Sequence, residues 1–248
     1  MHSTDADWKK LGSADPYYGV LAAEKYRKEY LAQNIKEFFA SGEEFVADRL
    51  KKAKRHFDAV KFNDALDFGC GVGRLPLPLA RTFESTLGID VSDSMLLEAK
   101  ANARRLGIFN ATFALSDDDL SKAPGQYDFV NSYIVLQHIP VLRGMKIIEE
   151  LMKRVRTGGI LALHVCVDRN FRFARTLQYW ARAHLPVVHR VGNVVRGRRW
   201  REPLMQMNEY PLAKILDRAQ VRGFGPALVE TEMHGTTLTA KLMCQKNL

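Results

Sequence analysis

The sequence predicts an α/β protein built on a doubly wound, mostly parallel sheet. Between residues 64 and 167, short apolar segments alternate with segments of helical periodicity, which is the pattern of βαβ units. Three glycines at alternate positions, Gly69, Gly71 and Gly73, follow the first apolar segment, and Asp90 ends the second. A glycine turn after one strand and an acid at the end of the next are typical of a doubly wound sheet that binds a nucleoside. We therefore expect the ligand crevice at the carboxyl ends of the strands.

A helical extension is predicted before this core. Residues 1–17 are expected to form a loose polar leader, and residues 18–39 have the apolar periodicity of a helix. Ser41 and Glu44 have the spacing of a capping box, which predicts that a second helix begins there and ends near Phe57.

The core itself contains five predicted strands and three predicted helices. The strands are expected at 64–68, 86–90, 111–115, 127–131 and 160–167. The helices are expected at about 74–83, 93–106 and 141–155. Helices of this length between consecutive strands predict parallel pairing, because a parallel connection must cross over the sheet.

The end of the chain predicts a reversal of direction. After a helix expected at 207–223, two extended segments, 227–233 and 237–245, are joined by a short link that contains Gly235. A short link of this kind forms a hairpin, so the last strand should be antiparallel to its neighbour. We expect an N-terminal helical cap over residues 1–60 and a main domain over 61–248.

Composition and charge narrow the class of protein. Hydrophobic residues make up 46% and charged residues 26% of the 248 positions, which is ordinary for a globular protein. No apolar run of about 18 residues and no secretion signal are present, and the three cysteines lack the spacing of metal ligands. These features predict a cytoplasmic protein with no metal site.

The net charge of +9 is concentrated in one segment. Residues 169–201 contain nine arginines and no acid, so this segment accounts for the whole excess of positive charge. Phe173, Leu177, Trp180, His184 and Val188 fall on one helical stripe, which predicts a basic amphipathic helix inside an insertion at 168–203. The insertion is interpreted as a substrate lid, as a contact with an anionic membrane surface, or as a structural or oligomer-forming element.

The segment from Asp67 to Gly73, with the sequence DFGCGVG, resembles motif I of the class I methyltransferases that use S-adenosylmethionine. The resemblance implies a seven-stranded sheet and S-adenosyl-L-methionine as the cofactor. It also implies that Asp90 binds the ribose and that an acid after the third strand accepts from the adenine amino group. The positions that it assigns to the cofactor are Asp67, Gly69, Cys70, Gly71, Gly73, Asp90, Val91, Met95, Asp117 with Asp118 as the second choice, Asn131 and Val135.

The same resemblance implies methyl transfer to an oxygen or nitrogen of a small-molecule, lipid or glycan acceptor. A hydroxyl nucleophile would need a general base, and His138 and His164 are the two candidates near the expected crevice. Tyr17, Tyr18 and Tyr133 are candidates for the acceptor pocket. Arg196, Arg198 and Arg199 are candidates for binding an anionic group of the acceptor.

Three other functions stay open at this point. An RNA or DNA methyltransferase is disfavoured because the segment 131–134, Asn-Ser-Tyr-Ile, lacks a Pro-Pro element and no cysteine is placed to attack a pyrimidine. A nicotinamide-dependent oxidoreductase is disfavoured by the glycine spacing and by the terminal hairpin. A protein that binds the cofactor without catalysis is the third alternative.

Overall fold

The computed structural model describes residues 4–169, 186–195, 200 and 205–247, and in these ranges it contains one seven-stranded sheet. Strands β1 to β5 are parallel, and β7 lies antiparallel between β5 and β6, in the order β3-β2-β1-β4-β5-β7-β6. The predicted fold class is confirmed. The strands are β1 (Asp64–Phe68), β2 (Ser85–Asp90), β3 (Ala111–Leu115), β4 (Tyr127–Ser132), β5 (Val155–Arg169), β6 (Phe224–His234) and β7 (Thr237–Lys246).

Helices cover both faces of the sheet. Among the described residues they are α1 (Thr4–Ala14), α2 (Pro16–Val20), α3 (Lys28–His56), α4 (Pro76–Ala80), α5 (Asp93–Arg105), α6 (Val141–Lys153), α7 (Pro186–Val195) and α8 (Leu212–Val221). Helices α6 and α8 pack on one face through a cluster that includes Ile148 and Ile215. Helices α3 and α4 pack on the other face through Leu50 and Leu79. Because both faces are covered, all six residues of β4 are buried.

The expected loose leader at residues 1–17 is wrong. Residues 4–14 and 16–20 form α1 and α2, although this segment offers few apolar side chains. Leu11 is buried, and Gly12 lies so close to the start of α5 that a Cβ atom there would come within 2.4 Å of the Ser92 hydroxyl. A few well-packed contacts with the core therefore hold a helix that its composition does not predict.

The boundaries of the helix expected at 18–39 and of the second helix expected from Ser41 are also wrong, although residues 28–39 and 41–56 are helical as predicted. Helix α3 is continuous over 29 residues, and the Ser41 hydroxyl donates to the Phe38 carbonyl instead of capping a new helix. Gly42 does not mark a helix boundary, because it lies at a close contact between α3 and the segment after the glycine turn. A Cβ atom at Gly42 would lie 2.3 Å from the carbonyl oxygen of Arg74, directly after the glycine turn. The glycine lets α3 approach that turn, so it reflects close packing and not a helix boundary.

Strand β5 is longer than expected because its neighbour extends it. Pairing with β7 continues to Asp168 and Arg169, beyond the expected end at residue 167. At its start, Gly158 adopts φ +78° inside the strand, where the register with β4 shifts. Helix α4 is shorter than expected and begins at Pro76, whose fixed φ suits the first helical position.

Part of the basic insertion lies in the described ranges. Helix α7 is described, and the side chain of Val188 on it is exposed. The other four residues of the predicted stripe and Arg196, Arg198 and Arg199 lie outside the described residues. Within the described ranges, no helix combines the length and the apolar character needed to span a bilayer.

Candidate functional site

A cavity with about 740 Å³ of empty space, including the solvent at its mouth, lies at the carboxyl ends of β1, β2 and β4. Its walls come from the glycine turn after β1, from the end of β2 and from the segment after β4. Helix α1 contributes Thr4, Asp5 and Trp8, and α2 contributes Val20. Both helices belong to the N-terminal extension, so the extension takes part in enclosing the cavity.

The structure brings together about half of the residues predicted for the site. Those that line the cavity are Gly69, Gly71, Asp90, Val91, Met95, Asp118, Tyr133, Val135 and His138. Those that lie outside the lining are Asp67, Cys70, Gly73, Asp117, Asn131, Tyr17, Tyr18 and His164. Thus a larger share of the positions predicted to bind the cofactor lines the cavity than of the positions predicted to bind the acceptor.

The glycine turn packs closely against two segments, the loop after β4 and helix α2. Gly69 and Gly71 have φ of +76° and +53°, a region that glycine adopts without the strain of a side chain. A Cβ atom at Gly69 would lie 2.3 Å from Val135, and one at Gly71 would lie 2.5 Å from Val20. Side chains are excluded at both positions, so the main chain itself forms the wall of the cavity.

Asp90 is a buried acid that is hydrogen-bonded to this turn. Its carboxylate accepts from the Gly71 N–H and from the Ser92 N–H, each at 2.9 Å. Burial raises the pKa of Asp90, while these backbone N–H groups act in the opposite direction. The Val91 N–H also acts on this carboxylate. Since a carboxylate has about four acceptor positions, Asp90 keeps acceptor capacity for a ribose hydroxyl.

Asp67 and Asn131 lie behind the turn and join β1 to β4. The Asn131 amide donates to Asp67 at 2.6 Å, and both side chains are buried. Burial raises the pKa of Asp67 to about 7, although Asn131 and the nearby Arg74 act to lower it. Their position supports the turn from beneath.

The acidic loop after β3 separates Asp117 from Asp118. Asp117 accepts from the Ser121 N–H at 2.8 Å and from the Ser121 hydroxyl, so its carboxylate caps the following turn. The side-chain bond from Ser121 lowers the pKa of Asp117. Asp118 lines the cavity and is bound by Arg143. The structure therefore brings the second choice, and not the first, to the cavity.

The two candidate histidines have different surroundings. His138 lines the cavity, its Nδ1 lies 2.6 Å from the Gln206 carbonyl, and its ring packs against Trp8. Burial lowers the pKa of His138 to about 4. Since a carbonyl accepts, Nδ1 carries the proton of the neutral ring and Nε2 keeps its lone pair.

His164 is buried on β5, and neither ring nitrogen has a hydrogen-bond partner among the described residues. Burial lowers the pKa of His164 to about 3. Its ring contacts the ring of Tyr133, with 4.8 Å between the centroids, and Tyr133 separates it from the cavity.

The other two tyrosines stabilise the N-terminal extension. The Tyr17 hydroxyl donates to Asn102 at 3.0 Å, and the Arg27 guanidinium lies 3.8 Å from the centroid of Tyr18. Tyr133, by contrast, lines the cavity and stacks on Phe45 of α3 at 3.9 Å between centroids.

Sequence reasoning missed several lining residues. Trp8 and Asp5 belong to the helix that was not predicted, and Arg143 follows no motif. Ile134 lines the cavity with φ +60°, a left-handed conformation that is strained for a β-branched residue. Neither strain nor an ion pair between distant segments leaves a signal in one sequence.

Comparisons with known proteins identify similar chains over the same part of the sequence. Residues 65–159 match a family model described as a methyltransferase domain, a range that includes the glycine turn, Asp90 and Asp118. A crystal structure of magnesium protoporphyrin IX methyltransferase from Synechocystis with bound S-adenosylmethionine superposes with a TM-score of 0.60 at 18% identity. The match covers 100% of this chain and 99% of that one, and at this identity it shows the fold.

Two curated relatives are similar over shorter stretches. The 23S rRNA (uracil(1939)-C(5))-methyltransferase RlmD of Photobacterium angustum is 31% identical over 125 residues, which are 46% of this chain and 57% of that protein. The ubiquinone biosynthesis O-methyltransferase of Agrobacterium fabrum is 26% identical over 189 residues, which are 76% of this chain and 65% of that protein. The chain thus spans less than two thirds of the length of either relative.

Proposed function

We propose that this chain, which has the class I S-adenosylmethionine-dependent methyltransferase fold, transfers a methyl group to an oxygen or nitrogen of a small-molecule, lipid or glycan acceptor. The observation that supports this most strongly is the position of Asp90. Its carboxylate lies on the cavity beside bare main chain at Gly69 and Gly71, and it keeps acceptor capacity for a ribose hydroxyl.

The residues that line the cavity are assigned to the parts of the cofactor as follows. Asp90 binds the ribose, Val91 and Met95 pack beside the adenine, and Asp118 accepts from its amino group. Gly69 and Val135 line the part of the cavity that receives the methionine half. The strain at Ile134 falls in the same wall, where a backbone held in one unusual conformation can fix the position of a ligand.

S-adenosylmethionine supplies an electrophilic methyl group on a sulfonium, which the acceptor takes while the thioether leaves. The chain aligns the two reactants, and the N-terminal extension contributes part of the cavity wall through α1 and α2. Tyr133 lines the cavity and is proposed to contact the acceptor.

His138 is proposed as the base that accepts the proton of an acceptor hydroxyl. It lines the cavity, is neutral near pH 7, and has a free lone pair on Nε2 if Nδ1 donates to Gln206. His164 is the second candidate, since Tyr133 lies between it and the cavity.

The acceptor is proposed to be lipophilic, and the insertion is proposed to contact an anionic membrane surface. Val187, Val191, Val194 and Val195 on α7 are exposed, and the segment 169–201 contains nine arginines without an acid. Exposed apolar residues within a basic segment favour binding at the surface of an anionic bilayer. Cosedimentation with vesicles of anionic phospholipid, compared with neutral vesicles, tests this contact.

RNA is the alternative acceptor, because one relative acts on 23S rRNA. Pyrimidine C5 chemistry by a cysteine is disfavoured here. Cys70, Cys166 and Cys244 are buried, and burial raises the pKa of each thiol, so none is a good nucleophile near pH 7. An oxidoreductase is disfavoured by the antiparallel β7, since the nicotinamide-binding sheet has the order 3-2-1-4-5-6.

The test combines binding with transfer. Calorimetry with S-adenosylhomocysteine should give a dissociation constant below about 100 μM, which corresponds to more than about 5 kcal/mol of binding free energy. The protein is then incubated with methyl-labelled S-adenosylmethionine and, separately, with a lipid extract, a polar metabolite extract and total RNA. Label in the lipid extract supports the lipophilic acceptor. Label in the polar metabolite extract supports methyl transfer but overturns the lipophilic acceptor. Label in RNA alone would show that the acceptor is RNA. If S-adenosylhomocysteine does not bind, S-adenosylmethionine is refuted as the cofactor.

A further inference from the structure

Arg143 joins two segments that are far apart in the sequence. It lies near the start of α6, between Asp118 of the loop after β3 and Asp5 of α1. Its Nε donates to both oxygens of Asp118 at 2.8 and 2.9 Å, and Nη2 donates to Oδ1 of Asp118 at 2.6 Å. On its other edge, Nη1 and Nη2 donate to the two oxygens of Asp5 at 2.7 and 2.9 Å. A planar guanidinium is well suited to binding two carboxylates in this way.

All three side chains line the cavity. Asp118 lies at the end assigned to the adenine, and Asp5 belongs to the helix that covers the cavity. The two carboxylates hold the pKa of Arg143 above its ordinary value, with the bonds to Asp118 as the largest cause. The side chain of Asp118 is 47% exposed and that of Asp5 is 36% exposed, so each pair alone would be weak in water. Because one guanidinium binds both carboxylates, the position of Asp118 and the position of Asp5 depend on each other.

The hydrogen bonds leave limited capacity at Asp118. A carboxylate offers about four acceptor positions, and Arg143 occupies three of them. One position on Oδ2 therefore stays available, which matches a single N–H of an exocyclic amine.

We propose that Arg143 is a positioning residue for cofactor binding, which orients Asp118 toward the adenine amino group and fastens α1 over the bound nucleoside. This inference rests on the function proposed above. Two consequences follow. The protein should discriminate adenine from hypoxanthine, which carries an oxygen where adenine has its amino group. The cofactor product should also leave slowly while Arg143 connects α1 to the loop after β3.

The experiment compares S-adenosylhomocysteine with S-inosylhomocysteine by calorimetry, and measures the dissociation rate of the first by stopped flow. Wild-type protein should bind the adenosyl compound at least about tenfold more tightly. Arg143→Met should reduce this ratio to below about threefold and raise the dissociation rate about tenfold. Asp5→Asn should raise the dissociation rate and leave the ratio unchanged, because the contact with Asp118 remains.

Arg156 provides a matched control. It also bridges two acids, Asp128 at 2.6 Å and Asp64 at 2.8 Å, but at the amino ends of β4 and β1, away from the cavity. Arg156→Met should lower thermal stability and change neither the ratio nor the rate.

Each outcome decides between the two proposals. If wild-type protein binds neither compound, the proposed function fails. If it binds S-adenosylhomocysteine but Arg143→Met retains the wild-type ratio and rate, the role of Arg143 is refuted and the function stands. If Arg143→Met does not fold, Asp5→Asn decides. Its dissociation rate should depend less on salt, between about 50 and about 500 mM, than that of wild type, and an equal dependence overturns the proposal.

Discussion

Replacing Asp90 with asparagine tests the nucleoside site at its central residue. The substitution Asp90→Asn keeps the shape of the side chain and removes its charge. In the structure both carboxylate oxygens accept backbone N–H groups at 2.9 Å, from Gly71 and Ser92. The amide retains only one acceptor oxygen, so one of these buried N–H groups loses its partner.

The substitution should weaken binding of the cofactor product and also lower the stability of the protein. A hydrogen bond to a charged partner contributes about 1.5–3 kcal/mol, so the loss of charge facing the ribose should weaken binding by about tenfold to about 150-fold. An unpaired buried N–H costs about 1–3 kcal/mol of folding stability. For a chain of this size, each kcal/mol lowers the melting temperature by about 2–4 °C.

Calorimetry with S-adenosylhomocysteine measures the first effect and thermal unfolding measures the second. Asp64→Asn is the control, because Asp64 accepts from the Ser85 hydroxyl at 2.7 Å at the opposite end of the sheet. The control should lose stability without losing affinity. Wild-type affinity in Asp90→Asn would remove Asp90 from the site and with it the main support for the proposed function.

Two further predictions concern stability. Gly42→Ala should destabilise the protein by about 1–3 kcal/mol in urea unfolding, because the new Cβ would lie 2.3 Å from the Arg74 carbonyl oxygen. This loss should outweigh the higher helix propensity of alanine, which is about 1 kcal/mol. A stabilised variant would show that α3 and the glycine turn can move apart without cost. His164 has a pKa of about 3 in the folded protein, so below about pH 6.5 the unfolded chain binds more protons than the folded protein does. The free energy of unfolding therefore decreases as the pH is lowered. Between about pH 7.5 and about pH 5, wild type should therefore lose about 2 kcal/mol more than His164→Leu, and an equal loss in the two proteins would contradict the buried neutral histidine.

The parts of the fold that one sequence predicts are those with local causes. Gly69 and Gly71 need positive φ, and Asp90 ends a short apolar strand, so the turn and the acid can be recognised without any distant contact. The hairpin at Gly235 is equally local, and it forms as predicted between β6 and β7. The order of the parallel strands then follows from the handedness of their connections.

The errors have distant causes. Ser41 and Glu44 carry the spacing of a helix start, but packing of Gly42 against Arg74 overrides that local preference. The choice between Asp117 and Asp118 depended on which carboxylate meets Arg143, a residue 25 positions beyond Asp118. Side-chain pairing across that distance has no periodicity that a single sequence would reveal.

The N-terminal extension is also more closely tied to the cavity than a separate cap would be. Val20 of α2 lies against Gly71, and Gly42 of α3 lies against the carbonyl of Arg74, so the glycine turn is held from two sides by the extension. Trp8 packs on His138, which connects α1 to the proposed base. Because the nucleoside wall and the acceptor side share these helices, binding of the cofactor should order the surface that the acceptor meets. We therefore propose that the choice of acceptor depends on α1 to α3 and on the basic insertion, the segments in which no motif directed the prediction.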